Sequence, residues 1–213
     1  TQEIDATFSP FETELQEDSR LQIVRQLGEQ HGYDEHHAHQ VMQFALRLFD
    51  DLRPLHQLGR RERRWLQCAA LLHEIGLSQG RKGHHKATYR LIRDAKELPF
   101  RRRERRMIGL IARYHRKAFP KKKHKGYKKL SSGQRRRVRM LASLLRLADG
   151  LRRERVHLVE ILNCEFTFQT ITLLCSVTQR PASDRDRTTT ETVKGELLEH
   201  VFRRSLEIQW HSV

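Results

Sequence analysis

Apolar residues recur at helical spacing through most of this chain and change to strict alternation near its C-terminal end. Leu21, Val24 and Leu27 mark one face of a helix from Arg20 to Gln30. Asp34 reads as the N-cap of a second helix, along which Val41, Phe44, Ala45, Leu48 and Leu52 keep the helical period, and Pro54 and Gly59 mark the connection that follows. A third helix is predicted from about Arg61 to Ile75, with Trp65, Ala69 and Leu72 on one face and Gly76 as its stop. Further helical stretches fall near Lys86 to Lys96, Arg101 to Tyr114 and Ser132 to Leu151, and the lysine-rich stretch from Lys117 to Lys129 has no periodicity. After Arg155 the segments Val156 to Leu162, Glu165 to Gln169 and Ile171 to Val177 alternate and are rich in β-branched and aromatic residues. Residues 179–190 read as a polar loop, Val193 to Arg203 as a helix and Leu206 to Trp210 as a closing strand.

The pattern predicts a mainly α fold. Residues 1–18 form an acidic tail or linker, 19–155 a helical domain, and 156–213 a small α+β subdomain with an antiparallel sheet and a helix. There is no internal repeat. Thr1 in place of Met is the expected mark of a piece excised from something longer.

At 213 residues the chain is long enough to bury most of its apolar surface without disulfides or metal. Cys68, Cys164 and Cys175 stand in apolar surroundings without CxxC spacing, which reads as buried free thiols in a reducing compartment. No charged-then-apolar leader and no membrane-length apolar run are present, so the expectation is a cytoplasmic protein with no membrane partner.

Charge changes the picture more than composition does. The net charge is +16, but residues 81–139 carry 24 Lys or Arg against Asp94, Glu97 and Glu104, a local +21, which leaves −5 for the rest. Such a field draws in polyanions and binds them with strong salt dependence. Simple solvation of long helices explains Arg101 to Arg106. It is a poor account of Lys121, Lys122 and Lys123, which cluster beside Pro120 in a loop.

Four positions carry candidate chemistry. His37 lies one helical turn before Val41 on the buried stripe, whereas His36 and His39 are rotated off it. His73 follows Ala69 by four residues, with Glu74 beside it. Asp149 extends the series Val138, Leu141, Leu145 within a run that is apolar almost all round, where an ionised carboxylate is costly unless a cation or donors meet it. Singly, each has a mundane reading as a satisfied core histidine or a helix terminus. Jointly, three helices each place an imidazole or carboxylate at the inward edge of an apolar face, the donor set expected for a divalent cation.

The segments His37-Ala38-His39-Gln40-Val41, Ala70-Leu71-Leu72-His73-Glu74-Ile75-Gly76, Gly83-His84-His85, Arg113-Tyr114-His115-Arg116-Lys117 and Leu144-Leu145-Arg146-Leu147-Ala148-Asp149-Gly150 resemble the C-terminal HD-like domain of the Ppx/GppA family of exopolyphosphatases and guanosine pentaphosphate phosphohydrolases. The resemblance runs from about residue 19 to the C-terminus. It implies an HD-like helical domain in which His37, His73 and Asp149 match the superfamily's metal ligands and Glu74 stands where aspartate belongs. Glu74 is one methylene longer, so its oxygen arrives displaced or acts through water, and it is the one catalytic candidate if the site is active. His85 and His115 either complete the pocket or cap helices. The divalent ion implied is Mn, Mg or Ni.

Family members cleave terminal phosphates in an N-terminal pair of actin-like domains whose Gly-rich phosphate loops have no counterpart in this sequence. The resemblance therefore implies a binding module that works with a separate catalytic domain or chain and forms a homodimer. Polyphosphate suits the charge pattern, since a flexible line of negative charge needs only closely spaced cations. Arg113, Arg116, Lys117, Lys121, Lys122, Lys123, Lys125 and Arg146 are the candidates to supply them. Two other readings stay open. One is a metal-dependent phosphohydrolase acting on nucleotides or guanosine polyphosphates. The other is a nucleic-acid binder, weakened because only 7% of residues are aromatic and Tyr114, Phe119 and Tyr127 alone could offer a stacking platform in the basic stretch.

Overall fold

The computed structural model describes residues 10–153, 159–177 and 194–212. Its helices are α1 (Pro10–Gln30), α2 (Glu35–Asp51), α3 (Arg53–His56), α4 (Arg60–Leu71), α5 (His84–Asp94), α6 (Arg102–Arg113), α7 (Lys125–Lys128), α8 (Ser132–Arg153) and α9 (Glu196–Phe202). A 3-10 helix covers Ile75–Gln79, and three strands follow α8: β1 (Val159–Phe166), β2 (Thr170–Val177) and β3 (Ser205–Ser212). The mainly α expectation with a small sheet and helix at the C-terminal side holds.

The organising element is α8. From Val138 to Leu151 nearly every residue except Arg139 is buried, including Leu141, Leu144, Leu145, Leu147 and Leu151 at 0% exposure. A helix apolar on all sides has to be surrounded, and α2, α4, α6 and α9 all pack against it. The amphipathic helices close around that axis with their predicted stripes inward, through Val41, Ala45 and Leu48 on α2 and Trp65 and Ala69 on α4. Asp34 caps α2 as predicted, its Oδ1 accepting from the His37 amide at 2.9 Å.

Several boundaries differ from the sequence reading. Helix α1 begins at Pro10, so residues 10–18 continue a helix rather than a tail, while residues 1–9 lie outside the described residues. The third predicted helix ends at Leu71 instead of Ile75, and His73 and Glu74 occupy the turn behind it. Gly76 is consequently no helix stop. A Cβ there would stand 2.2 Å from the His84 carbonyl oxygen and 2.5 Å from the Thr88 nitrogen, so glycine is what lets α5 close on the His73–Glu74 turn. Thr88 locks that approach: its hydroxyl donates to the His73 carbonyl at 3.2 Å and accepts from the Gly76 amide at 3.1 Å.

The sheet is mixed rather than antiparallel throughout. Strands β1 and β2 pair antiparallel, Phe166 opposite Ile171 and Cys164 opposite Leu173, with an irregularity between Ile161 and Asn163. Strand β1 takes residues from both of the first two predicted segments, residues 167–169 form the turn to β2, and residues 156–158 lie outside the described residues. Strand β3 then joins β2 in parallel, Ile171 beside Leu206 and Cys175 beside Trp210, which requires a crossover, and α9 lies within it. Ile171, Leu173 and Cys175 bury the inner face of the central strand. The predicted polar loop at 179–190 lies outside the described residues. All three cysteines are buried free thiols, as expected, and burial pushes Cys68 up to about 12, which makes it unreactive. Among the described residues, no helix is long and apolar enough to cross a membrane.

Candidate metal centre

Four segments bring histidines to one end of the bundle. His37 enters from the first turn of α2, whose start is fixed by the Asp34 cap. His73 and Glu74 come from the turn after α4, His84 from the first residue of α5, and His115 from the turn after α6. Three of the rings are fixed in the same way. His73 Nδ1 lies 2.6 Å from the Ala70 carbonyl, His115 Nδ1 2.7 Å from that of Ala112, and His84 Nδ1 3.0 Å from that of Arg81. A carbonyl oxygen can only accept, so each Nδ1 carries the proton. Each Nε2 then presents its lone pair to the pocket whenever the ring is neutral.

Those lone pairs converge. The Nε2 atoms of His37, His73, His84 and His115 are buried and have no hydrogen-bond partner. Asp149 Oδ1, on the central helix and 0% exposed, lies 3.6 Å from both His37 Nε2 and His73 Nε2. Glu74 Oε2 lies 3.8 Å from His37 Nε2. One ligand atom from each of His37, His73, Glu74 and Asp149 falls within 4.8 Å of all the others, and Glu74, His84 and His115 form a second such group. Two donors on a single ion at about 2.1 Å stand about 3.0–4.2 Å apart, so the measured separations suit chelation. The extra methylene of Glu74 has not carried its oxygen out of reach. This donor set of imidazole nitrogens and carboxylate oxygens fits a divalent metal.

Electrostatics agree with the geometry. Burial alone would raise Asp149, but the His37 and His73 imidazoles outweigh it and hold the carboxyl well below the usual range. His115 is held well below an ordinary imidazole by burial and then by its neighbour His73, so it stays neutral and able to ligate. Asp149 also has a partner from the α+β side of the chain. The Lys194 ammonium, from the residue just before α9 and its Gly195 N-cap, donates to Asp149 Oδ2.

The structure thus brings His37, His73, Glu74 and Asp149 together in one donor group, and His115 with Glu74 and His84 in the other. His85 is in neither: it is half-buried beside His84, its ring centroid 6.0 Å away, and burial lowers it to about 4. The histidine that faces inward is His84. Its phase was legible, because it precedes the buried Ala87 and Thr88 by three and four residues. Lys194 carries no comparable signal, standing 45 residues from Asp149 in a polar stretch.

The basic candidates divide as well. Lys117, Lys121, Lys122, Lys123 and Lys125 are exposed, and Arg116 is half-buried. Arg113 lies over the rings of Tyr89 and Tyr114 at 5.8 and 5.5 Å. Arg146 does not belong to the exposed face: it is 8% exposed, donates to the Lys117 carbonyl at 2.9 Å and stacks on Phe119 at 5.3 Å. It ties down the loop that carries the lysines. His124 ties the same loop from the other side, its Nδ1 accepting from the Tyr114 hydroxyl at 2.8 Å and the Lys121 amide at 3.3 Å.

Comparison with known proteins adds one finding. The family described as Ppx/GppA phosphatase, domain III, matches residues 20–190. No curated protein matches the chain. The chain belongs to the Ppx/GppA phosphatase domain III family.

Proposed function

We propose that this domain holds a divalent ion between His37, His73, Glu74 and Asp149 and binds phosphate-rich anions, polyphosphate above all, across that pocket and the adjoining basic loop. The observation that carries the reading is the convergence of the donor atoms within 4.8 Å. Membership of the Ppx/GppA phosphatase domain III family adds weight, because it suggests a domain that works on phosphate-rich substrates. So does the local order of residues after α6: His115 turns into the pocket while Lys117, two residues on, faces solvent. An ion held here would supply Lewis acidity to a phosphoryl oxygen. The chain's own part is to fix the imidazole tautomers, keep the donors dry and surround the opening with cations.

The test is titration of the protein with polyphosphate at several salt concentrations, with and without Mn²⁺. Binding is expected to weaken steeply with salt and to tighten with Mn²⁺. Replacing Lys121, Lys122 and Lys123 by Ala should leave the melting temperature unchanged. It should also reduce the slope of log affinity against log salt by about two, if each lysine neutralises one phosphate. Binding that ignores salt, or no binding at low salt, would overturn the reading.

A second reading is favoured by one observation: Glu74 belongs to both donor groups, so each group could hold an ion with Glu74 among its donors. That arrangement suits a metal-dependent phosphohydrolase acting on nucleotides, guanosine polyphosphates or polyphosphate. Turnover with Mn²⁺, Mg²⁺ or Ni²⁺ that disappears in His73→Ala would establish it, and silence across those substrates and metals would remove it.

A further inference from the structure

Asp149 divides its two oxygens between different partners. Oδ1 faces the Nε2 atoms of His37 and His73 at 3.6 Å each, while Oδ2 accepts from the Lys194 ammonium. Lys194 does not belong to the helical bundle. It stands at the entrance to α9 with its backbone in the left-handed region, φ 59°, a conformation that side-chain-bearing residues adopt only when their surroundings require it. Its side chain is 21% exposed although its partner is wholly buried, so it reaches inward from the rim. A lysine in that position does what a metal does: it brings positive charge to a buried carboxylate that water cannot reach.

From this geometry we infer that Lys194 is a tethered cation of the pocket, neutralising Asp149 while no divalent ion is bound and withdrawing when one enters. The inference rests on the metal reading given above. An ion bound at Asp149 Oδ1 would lie within about 5 Å of an ammonium bound to Oδ2 of the same carboxylate. Repulsion between a divalent and a monovalent cation at that range, out of bulk water, is large. One of them has to give way, and Lys194 is the one on a movable side chain at the rim. Its withdrawal would loosen the start of α9, which packs on α8 and spans the crossover between β2 and β3. Metal occupancy is thereby coupled to the α+β subdomain.

The test uses the full chain and Mn²⁺ as the probe. Lys194→Met should bind Mn²⁺ at least about 10-fold more tightly than the wild type, because the competing charge is gone, whereas Lys194→Arg should stay near the wild-type value. In the wild type, saturating Mn²⁺ should speed amide hydrogen exchange in residues 194–203. Unchanged or weaker Mn²⁺ binding in Lys194→Met overturns the proposal while leaving the metal pocket standing, as does exchange that is unaffected by Mn²⁺. If neither protein takes up Mn²⁺, the metal reading falls and this proposal falls with it. Should Lys194→Met fail to fold, the exchange measurement on the wild type decides alone.

Discussion

His56 and His73 are both 0% exposed and both close to a helix end, yet they do opposite things. At His56 each ring nitrogen has a partner: Nε2 donates to the Phe49 carbonyl at 2.8 Å, and Nδ1 accepts from the Leu58 amide at 2.9 Å. The ring is a bracket that closes the turn between α3 and α4, and nothing further is asked of it. At His73 the Nδ1 contact to Ala70 is equally firm, but Nε2 faces a space shared with three other partnerless imidazole nitrogens and two carboxylates. Burial is therefore not what marks a site. An oriented buried atom with no protein partner marks one, and several aimed at the same point mark it strongly.

That contrast is broken most forcefully by deleting each ring in turn. His73→Ala should weaken Mn²⁺ binding by at least about 1,000-fold, roughly 4 kcal/mol, since loss of a mere outer-shell partner already costs about 10–100-fold. His56→Ala should leave Mn²⁺ affinity alone and lower stability by about 2–3 kcal/mol, because the Phe49 carbonyl and Leu58 amide lose their partner in a dry interior. Calorimetric titration paired with thermal melts separates the two outcomes. If both variants lose metal, or neither does, the distinction between bracket and ligand is void.

The second test concerns how the site is assembled. Gly76→Ala should destabilise by about 3 kcal/mol, a fall in melting temperature of roughly 6–12 °C for a chain of this size. The added methyl would meet the backbone of α5, where no side chain can swing aside. Metal affinity should fall with it, because His84 and the His73–Glu74 turn are held together by that approach. A variant that melts like the wild type would mean that α5 is free to shift.

This glycine also shows what could and could not be read from the chain. The periodicity located the longer helices but not the short α3 and α7, and the Asp34 cap and the inward phase of His37 and Asp149 followed from spacing alone. The end of α4 did not, because nothing in Leu71-Leu72-His73 breaks a helix; the close packing of α5 at Gly76 ends it from outside. Between the neighbours His84 and His85, helical phase favours His84 for the pocket, since it precedes the buried Ala87 and Thr88 by three and four residues. The parallel pairing of β3 was legible only indirectly. Alternation says nothing about strand direction, whereas a long connection containing a helix between β2 and β3 does. Lys194 was beyond reach, since its role depends on where that crossover returns.

The smallest effect, and the one that sharpens the comparison most, is the dependence of stability on pH. His115 and His56 both have folded values below the ordinary 6.5, burial being the first cause in each. For either ring the unfolded chain binds more protons than the folded one just below pH 6.5, so stability falls as pH drops through that region. Asp149 adds nothing there. Its folded value lies below the ordinary 3.8, so its contribution is present at higher pH and is lost only as pH falls below that value. Without metal, the two histidines thus tilt stability in the same direction. A divalent ion separates a ligating ring from His56, because ligation requires the neutral ring, so protons and metal compete for it, while His56, with both nitrogens already engaged, has none to offer. Melting curves between pH 7 and pH 5 should therefore fall more steeply with saturating Mn²⁺ than without it, and the extra steepness should vanish in His73→Ala but persist in His56→Ala. Parallel curves with and without Mn²⁺ would show that the ion, if bound at all, is held by something other than these ring nitrogens.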